Sequence, residues 1–365
     1  MRVIVTGGGS GGHIYPAIAI ADKIKEKEPD SEILYIGNEV GLEKDIVPKA
    51  GYNIELVDSM WLDRSNPLEL FRTVFVNYRG IRQALKIMKK FKPDVVIGTG
   101  GFVCVPVVFA GKKYGARCYL HEQNAYPGMA NRLLEKSVRK IFLGFAEAGQ
   151  YFRSPEKHVT AGNPVRKAFY EADKKEAREK LGINQNDFVV FSFGGSQGAR
   201  TINDVAFDIM KKYNGKEGVM QVFGVGSFQE ENVKEKIEKE NIDVKSNIRM
   251  KTYIEDMPDY LAASDVIISR AGALSVAEIT MCGKASILIP SPMVTGNHQY
   301  FNAKSVADKG GAVLIEEKDL DSERVISILD ELKNSSRLSE IMEKSRACAP
   351  VHATDIIYAE IKKDE

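Results

Sequence analysis

The chain has 365 residues, 44% of them hydrophobic and 28% charged, with a formal net charge of +1. That length favours two domains over one, and the composition is that of a soluble globular protein able to bury a core. The near-neutral balance excludes the global basic footprint of a nucleic-acid-binding protein and leaves only local basic patches. Cys104, Cys118, Cys282 and Cys348 are scattered with no C-x-x-C pair, which argues against a zinc site or a disulfide framework and for a reducing compartment. The N-terminus lacks a signal-peptide pattern, and no run of about 18 apolar residues predicts a membrane span.

In chain order, a first strand through Val3-Ile4-Val5-Thr6 runs into the glycine loop Gly7-Gly8-Gly9-Ser10-Gly11-Gly12-His13 and a helix from about Pro16 to Lys27. Strand, glycine loop and helix form the phosphate-cradling unit of doubly wound sheets. Gly7, Gly9 and Gly12 also fit G-x-G-x-x-G, a weak match where five of six residues are glycine, and Glu39 after the next strand could serve as a ribose-binding acid. A helix from Trp61 to Tyr78 carries Leu68, Phe71, Val74 and Phe75 with Arg64, Arg72 and Arg79 interspersed. A second, from Ile81 to Phe91, adds Lys86, Lys89 and Lys90. The first of these reads either as a core helix or as one that dips into an anionic bilayer. Strand Val95–Gly98 opens into a second glycine loop, Thr99-Gly100-Gly101, and strand 116–120 ends in the polar cluster His121-Glu122-Gln123-Asn124, where α/β sheets bind ligands.

Gly162-Asn163-Pro164-Val165-Arg166 marks a boundary. The second half then restarts the plan with strand 187–193, the loop Gly194-Gly195-Ser196-Gln197-Gly198, and a helix. Further on, strand Val266-Ile267-Ile268-Ser269 leads through Arg270-Ala271-Gly272 into a helix beginning Ala273-Leu274-Ser275-Val276-Ala277-Glu278. Such a helix start suits an anion, and Glu278, about a turn inside, can cap the hydroxyls of a bound ring. The loop Thr295-Gly296-Asn297-His298-Gln299 precedes another helix. A last helix, Ala353 to Lys362, could fold back on the first domain.

Six ordered motifs resemble the MurG family of lipid-linked N-acetylglucosaminyltransferases: Gly9 to Pro16, His121 to Asn124, Gly162 to Arg166, Gly194 to Ala199, Ser269 to Ala273 and His298 to Ala303. The resemblance spans the chain. It implies an α/β GT-B fold, two Rossmann-like domains with parallel sheets facing a central cleft, divided as 1–163 (acceptor and membrane), 164–345 (UDP-N-acetylglucosamine) and a C-terminal helix, 346–365. It implies inverting, metal-independent transfer of N-acetylglucosamine from UDP-N-acetylglucosamine to the C4 hydroxyl of the N-acetylmuramoyl-pentapeptide on undecaprenyl diphosphate (lipid I), giving lipid II. No cofactor is implied.

By matching position, the resemblance assigns donor contacts to Ser10, Gly11, Gly12, Asn124, Arg166, Ser196, Ile254, Ala273, Leu274, Ser275, Val276, Ala277, Glu278 and Gln299. His13 is the candidate general base or acceptor-positioning group, since an imidazole can take a proton near neutral pH, and Glu122 is the rival base. Thr99, Gly100 and Gly101 could cradle the acceptor diphosphate. With a lipid acceptor, Leu68, Phe71, Val74 and Phe75 read as a membrane patch ringed by cations, so an anionic membrane surface joins the two substrates as an expected partner, and the expected location is the cytoplasmic side of the cell membrane. Other cell-wall synthesis or division proteins are further candidate partners.

Three other readings stay open on sequence alone: a UDP-N-acetylglucosamine 2-epimerase, a nicotinamide-dependent oxidoreductase built on the first glycine loop, and a non-catalytic lipid-carrier binding protein.

Overall fold

The computed structural model describes residues 1–61, 66–195 and 197–365. The chain divides into two compact units, Met1–Val165 with Pro350–Glu365, and Arg166–Ala349.

The first unit runs β1 (Arg2–Thr6), α1 (Gly11–Lys27), β2 (Glu32–Gly37), α2 (Glu43–Lys49), β3 (Asn53–Leu56), α3 (Pro67–Phe91), β4 (Val95–Gly98), α4 (Cys104–Tyr114), β5 (Arg117–Glu122), α5 (Met129–Leu134), β6 (Lys140–Leu143) and β7 (His158–Thr160). Among the described residues these strands form a parallel sheet in the order β3-β2-β1-β4-β5-β6-β7. Alternation along each strand loads both faces. Ile4 and Val96 join the core under α3 and α4, while Val3, Val5, Val95 and Ile97 join the core under α1. Helix α1 answers with Ile14, Ala17, Ile18, Ala21 and Ile24 at three- and four-residue spacing. The chain winds outward from β1 to β3, then returns to place β4 against the other side of β1. The loops after β1 and β4 therefore meet at the carboxyl end of the sheet, the position where open α/β sheets bind ligands.

Two helices expected between Trp61 and Phe91 are one helix, α3, of 25 residues; residues 62–65, with Arg64, lie outside the described residues. The start is set by Asn66, whose side chain accepts from the Leu68 N–H at 2.7 Å, and by Pro67 in the first turn. Gly80, which reads as a break, lies inside the helix for a packing reason. A Cβ there would sit 1.9 Å from the Asp58 carbonyl oxygen, so only glycine lets that backbone approach. Helix α1 also starts earlier than expected, at Gly11 rather than Pro16. Pro16 therefore stands inside the helix, in its second turn, and the helix runs on without the one bond a residue-16 N–H would make to the Gly12 carbonyl.

The second unit runs α6 (Ala168–Glu171), α7 (Lys174–Leu181), β8 (Phe188–Phe193), α8 (Arg200–Tyr213), β9 (Val219–Gly224), α9 (Glu230–Lys239), β10 (Ile248–Lys251), α10 (Met257–Ala263), β11 (Val266–Ser269), α11 (Ala273–Met281), β12 (Ala285–Leu288), α12 (His298–Ala307), β13 (Val313–Leu314), α13 (Ser322–Lys333) and α14 (Arg337–Ala347). Its parallel sheet has the order β10-β9-β8-β11-β12-β13. The winding repeats: outward from β8 to β10, then back to β11 beside β8. Here the loops after β8 and β11 are the neighbours.

Helix α15 (Ala353–Lys363) closes the chain on the first unit. Its buried Ile357 and Ile361 enter the core beneath α1. Lys362 pairs with Glu28 at 2.9 Å, Lys140 with Glu360 at 2.8 Å, and the Tyr119 hydroxyl donates to Asp364 at 2.8 Å.

Candidate functional site

In the first unit the loops after β1, β4 and β5 converge on His13, in the first turn of α1. Its Nδ1 lies 3.1 Å from the Thr99 carbonyl oxygen and 3.0 Å from Gln123 Oε1. The ring occupies the space a side chain at residue 100 would need: a Cβ on Gly100, whose φ is +111°, would fall 2.6 Å from His13 Nδ1. The Thr99 hydroxyl is buried and lies 2.7 Å from the His13 carbonyl oxygen, to which it donates. Thr99 therefore ties the second glycine loop to the first; its N–H donates to the Thr6 carbonyl and the Gly100 N–H to Cys104 Sγ at 3.1 Å, which leaves the Gly101 N–H for a ligand.

Glu122 is 1% exposed. Its carboxylate accepts from Asn124 N at 2.9 Å, Asn124 Nδ2 at 3.3 Å, Gly128 N at 3.0 Å and Asn131 Nδ2 at 2.8 Å. A general base needs an open lone pair within reach of its proton. Four donors surround this carboxylate, so it organises the loop from 124 to 131 and holds Asn124 in place. Ser10 is the residue before α1 and offers no side-chain cap to it; Ser10 and Gly12 are exposed, and Gly11 is half-buried.

Behind the first glycine loop sits an acid that sequence reading missed. Buried Glu43 accepts from Gly9 N at 3.1 Å and Asn38 N at 2.9 Å. Glu39, the acid singled out from sequence, is exposed in the turn after β2. Only the fold brings residue 43 under residue 9, so no local signal pointed to it.

In the second unit a cavity of about 370 Å³ lies over the carboxyl ends of β8 and β11. Gly194, Gly195, Gly198, Arg270, Gly272, Ser275 and Gln299 are among its lining residues. Helix α11 opens here with Gly272 as its cap residue and no side-chain cap, so the N–H groups of Ala273, Leu274 and Ser275 are presented to the cavity. Leu274 and Ser275 are half-buried, while Val276 and Ala277 are buried.

Arg270 lies in the motif Ser269 to Ala273 and lines the cavity. Its guanidinium reaches Glu317 at 2.5 Å and donates to the Ile289 and Pro290 carbonyls at 3.2 Å each, which fixes the cation at the cavity wall. Gln299 Oε1 accepts from Ser291 N at 2.9 Å, so its amide NH₂ is the end turned to a ligand. Burial pushes the carboxyl of Glu278 up to about 7, against the opposing charge of Arg166. Arg166 is itself stacked over the Phe169 ring at 5.0 Å. Ile254 is buried and packs against Gly224 at the end of β9. Ser196 lies outside the described residues.

Both sites thus stand at corresponding places in two repeated windings. The profile of the glycosyltransferase family 28 N-terminal domain matches residues 3–143, and that of the family 28 C-terminal domain matches residues 189–357. An Alkaliphilus oremlandii protein named UDP-N-acetylglucosamine–N-acetylmuramyl-(pentapeptide) pyrophosphoryl-undecaprenol N-acetylglucosamine transferase is 42% identical over 99% of this chain and 98% of its own length. A protein of the same name from Acetivibrio thermocellus is 40% identical over the same shares. The crystal structure of Acinetobacter baumannii MurG matches with a TM-score of 0.78 at 25% identity, covering 99% of each chain.

The chain belongs to the MurG family of glycosyltransferases. Its two parallel-sheet units are the GT-B fold of that family. A UDP-N-acetylglucosamine 2-epimerase from Neisseria meningitidis is also similar, with a TM-score of 0.72 at 14% identity over all of both chains. That likeness is one of fold alone. Family membership sets aside the oxidoreductase reading of the first glycine loop, and as a MurG-family member the chain is a glycosyltransferase rather than a passive carrier.

Proposed function

We propose that the chain transfers N-acetylglucosamine from UDP-N-acetylglucosamine to the C4 hydroxyl of the N-acetylmuramoyl-pentapeptide carried on undecaprenyl diphosphate, with inversion at the anomeric carbon. The observation that carries this reading is the cavity of the second unit, together with relatives about 40% identical over nearly the whole chain that bear that activity in their names. The N–H groups opening α11 and the neighbouring glycine loop take the donor diphosphate, and Arg270 adds positive charge beside it. Glu278 takes the ribose hydroxyls, the backbone at Ile254 takes the uracil, and the Gln299 amide takes the sugar. Arg166 favours the ionised form of Glu278 against the larger effect of burial.

The first unit takes the acceptor. The Gly101 N–H of the second glycine loop meets its diphosphate, and His13 is the base. As the C4 oxygen bonds to the anomeric carbon, its proton passes to His13 Nε2. The bond from the anomeric carbon to the diphosphate breaks, and its electron pair leaves on UDP. Preorganised N–H groups stabilise that growing charge at no reorganisation cost. Glu122 acts through the loop it braces.

Among the described residues no helix is long and apolar enough to cross a membrane. The first half of α3 nevertheless exposes Leu68, Phe71, Val74 and Phe75. We assign this stripe to the surface of an anionic bilayer, where an acceptor with a polyprenyl tail resides.

The reading is tested by incorporation of labelled N-acetylglucosamine into a short-chain lipid I analogue. Product with a β-1,4 link is expected, with the rate reduced about 10²-fold or more in His13→Ala and the apparent affinity for UDP-N-acetylglucosamine reduced in Glu278→Ala. Epimerised donor formed without acceptor, and no transfer, would overturn it.

A further inference from the structure

The proton positions around His13 are dictated by a short relay that ends on backbone carbonyls on both sides. At one end, His121 Nε2 lies 3.0 Å from the Gly162 carbonyl oxygen. A carbonyl oxygen only accepts, so that nitrogen carries a proton. Burial holds the His121 ring down at about 4, so it is neutral at pH 7 and Nδ1 is bare. Gln123 Nε2 donates to this Nδ1 at 2.9 Å and lies 3.1 Å from the His121 carbonyl oxygen. Turning the amide over would set its oxygen against that carbonyl and against a bare nitrogen. Its orientation is therefore fixed, with Oε1 facing His13 Nδ1 at 3.0 Å. The Thr99 carbonyl oxygen, also acceptor-only, faces the same nitrogen at 3.1 Å.

Two acceptors on Nδ1 require its proton to be there, so the neutral ring presents Nε2 as a bare lone pair, with no protein partner among the described residues. The relay is held from behind. Gln123 is 1% exposed and its carbonyl accepts from Asn163 Nδ2 at 3.0 Å, while Asn131 Nδ2 donates to the His121 carbonyl at 3.3 Å. His121, Gln123 and Asn163 are marked in the sequence only as members of motifs, and Asn131 is not marked at all.

We propose that Gln123, oriented by His121, is a positioning residue that locks His13 in the Nδ1–H tautomer and so leaves Nε2 as the proton acceptor for the attacking hydroxyl. The last clause rests on the reading of His13 as base; the tautomer lock does not.

The test is histidine-selective ¹⁵N ring labelling of the full chain, with the His13 signals assigned by their loss in His13→Asn. In the wild-type protein at pH 7.5 to 8 (roughly, to keep exposed rings neutral) His13 and His121 are expected in opposite tautomers, Nδ1–H and Nε2–H respectively. In Gln123→Met the Thr99 carbonyl remains on Nδ1, so His13 is expected to shift only in part toward the Nε2–H form. The same variant should lose about tenfold or more in kcat, with KM for both substrates changed less than about twofold. A wild-type His13 in the Nε2–H form, or a tautomer unmoved by Gln123→Met, overturns the lock. The wild-type spectrum alone decides if that variant does not fold. Full kcat in His13→Ala would instead overturn the base reading and the role of Nε2 in transfer, while the spectra still report on the lock.

Discussion

At the scale of single residues, burial and hydrogen bonding separate groups that the sequence treats as alike. Glu122 ends strand β5 and Glu278 lies in helix α11, and both are carboxylates of candidate sites. One is enclosed by four donors; the other stands in the second turn of α11 with its proton held up to about 7. His13 and His121 differ in the same way. Because burial lowers the folded-state pKa of His121 from 6.5 to about 4, the unfolded chain binds a proton between those values that the folded chain refuses. Stability from this residue is fully present above about 6.5 and is lost as pH falls toward about 4, by roughly 3 kcal/mol in all. Urea unfolding of wild type and His121→Gln across that window should show their stability difference shrinking as pH falls. A constant difference would mean that His121 already carries a proton in the folded chain.

At the scale of elements, α3 joins two environments in one rod. Its second half packs Ala84 and Met88 into the core, while its first half leaves Leu68 78% and Phe71 74% exposed. A single helix carries both because Gly80 admits the Asp58 backbone without a bend. The surrounding charge is less free than the sequence suggests, since Arg79 is paired with Asp58 and Arg72 lies 3.6 Å from Glu69. Apolar insertion rather than charge should then dominate attachment. Burying one phenylalanine is worth about 1.5–3 kcal/mol, so Phe71→Asp and Phe75→Asp should each lower co-sedimentation with anionic phospholipid vesicles more than about tenfold. UDP affinity, read by calorimetry, should not change. Vesicle binding unaffected by both substitutions would remove the membrane role from this stripe.

At the scale of the whole molecule, the last helix belongs to the unit that contains the first strand. Removing residues 350–365 uncovers the sites of Ile357 and Ile361, both fully buried, for a loss of about 3–6 kcal/mol at the usual value per side chain. That is a large share of a typical domain's stability of about 5–15 kcal/mol. Scanning calorimetry of a chain ending at residue 349 should show the transition of the first unit lowered and that of the second unmoved. Equal lowering of both would mean that the helix stabilises them jointly.

Much of the architecture was legible before any coordinates. Continuous apolar runs such as Val3–Val5 and Val266–Ile268 mark buried strands, and glycine loops at 7–12, 99–101 and 194–198 mark the turns into helices, because such preferences act over a few residues. The family motifs also pointed to His13 and Glu278. Sequence could not show that Glu43 lies under Gly9, that Arg270 is pinned by Glu317, or that Gln123 stands between two histidines. Glu43 and Gly9, Arg270 and Glu317, and Gln123 and His13 lie 34 to 110 positions apart. The His13–Gln123 contact exists because the first sheet returns to β1 after winding outward, setting β4 and then β5 beside it; the other two join segments that follow different strands of one sheet. The sequence by itself determined the elements, the loops and the family. The tertiary structure decided which loops meet, which carboxylate is enclosed and which nitrogen of His13 keeps its proton, since crossover order and desolvation are set by distant parts of the chain.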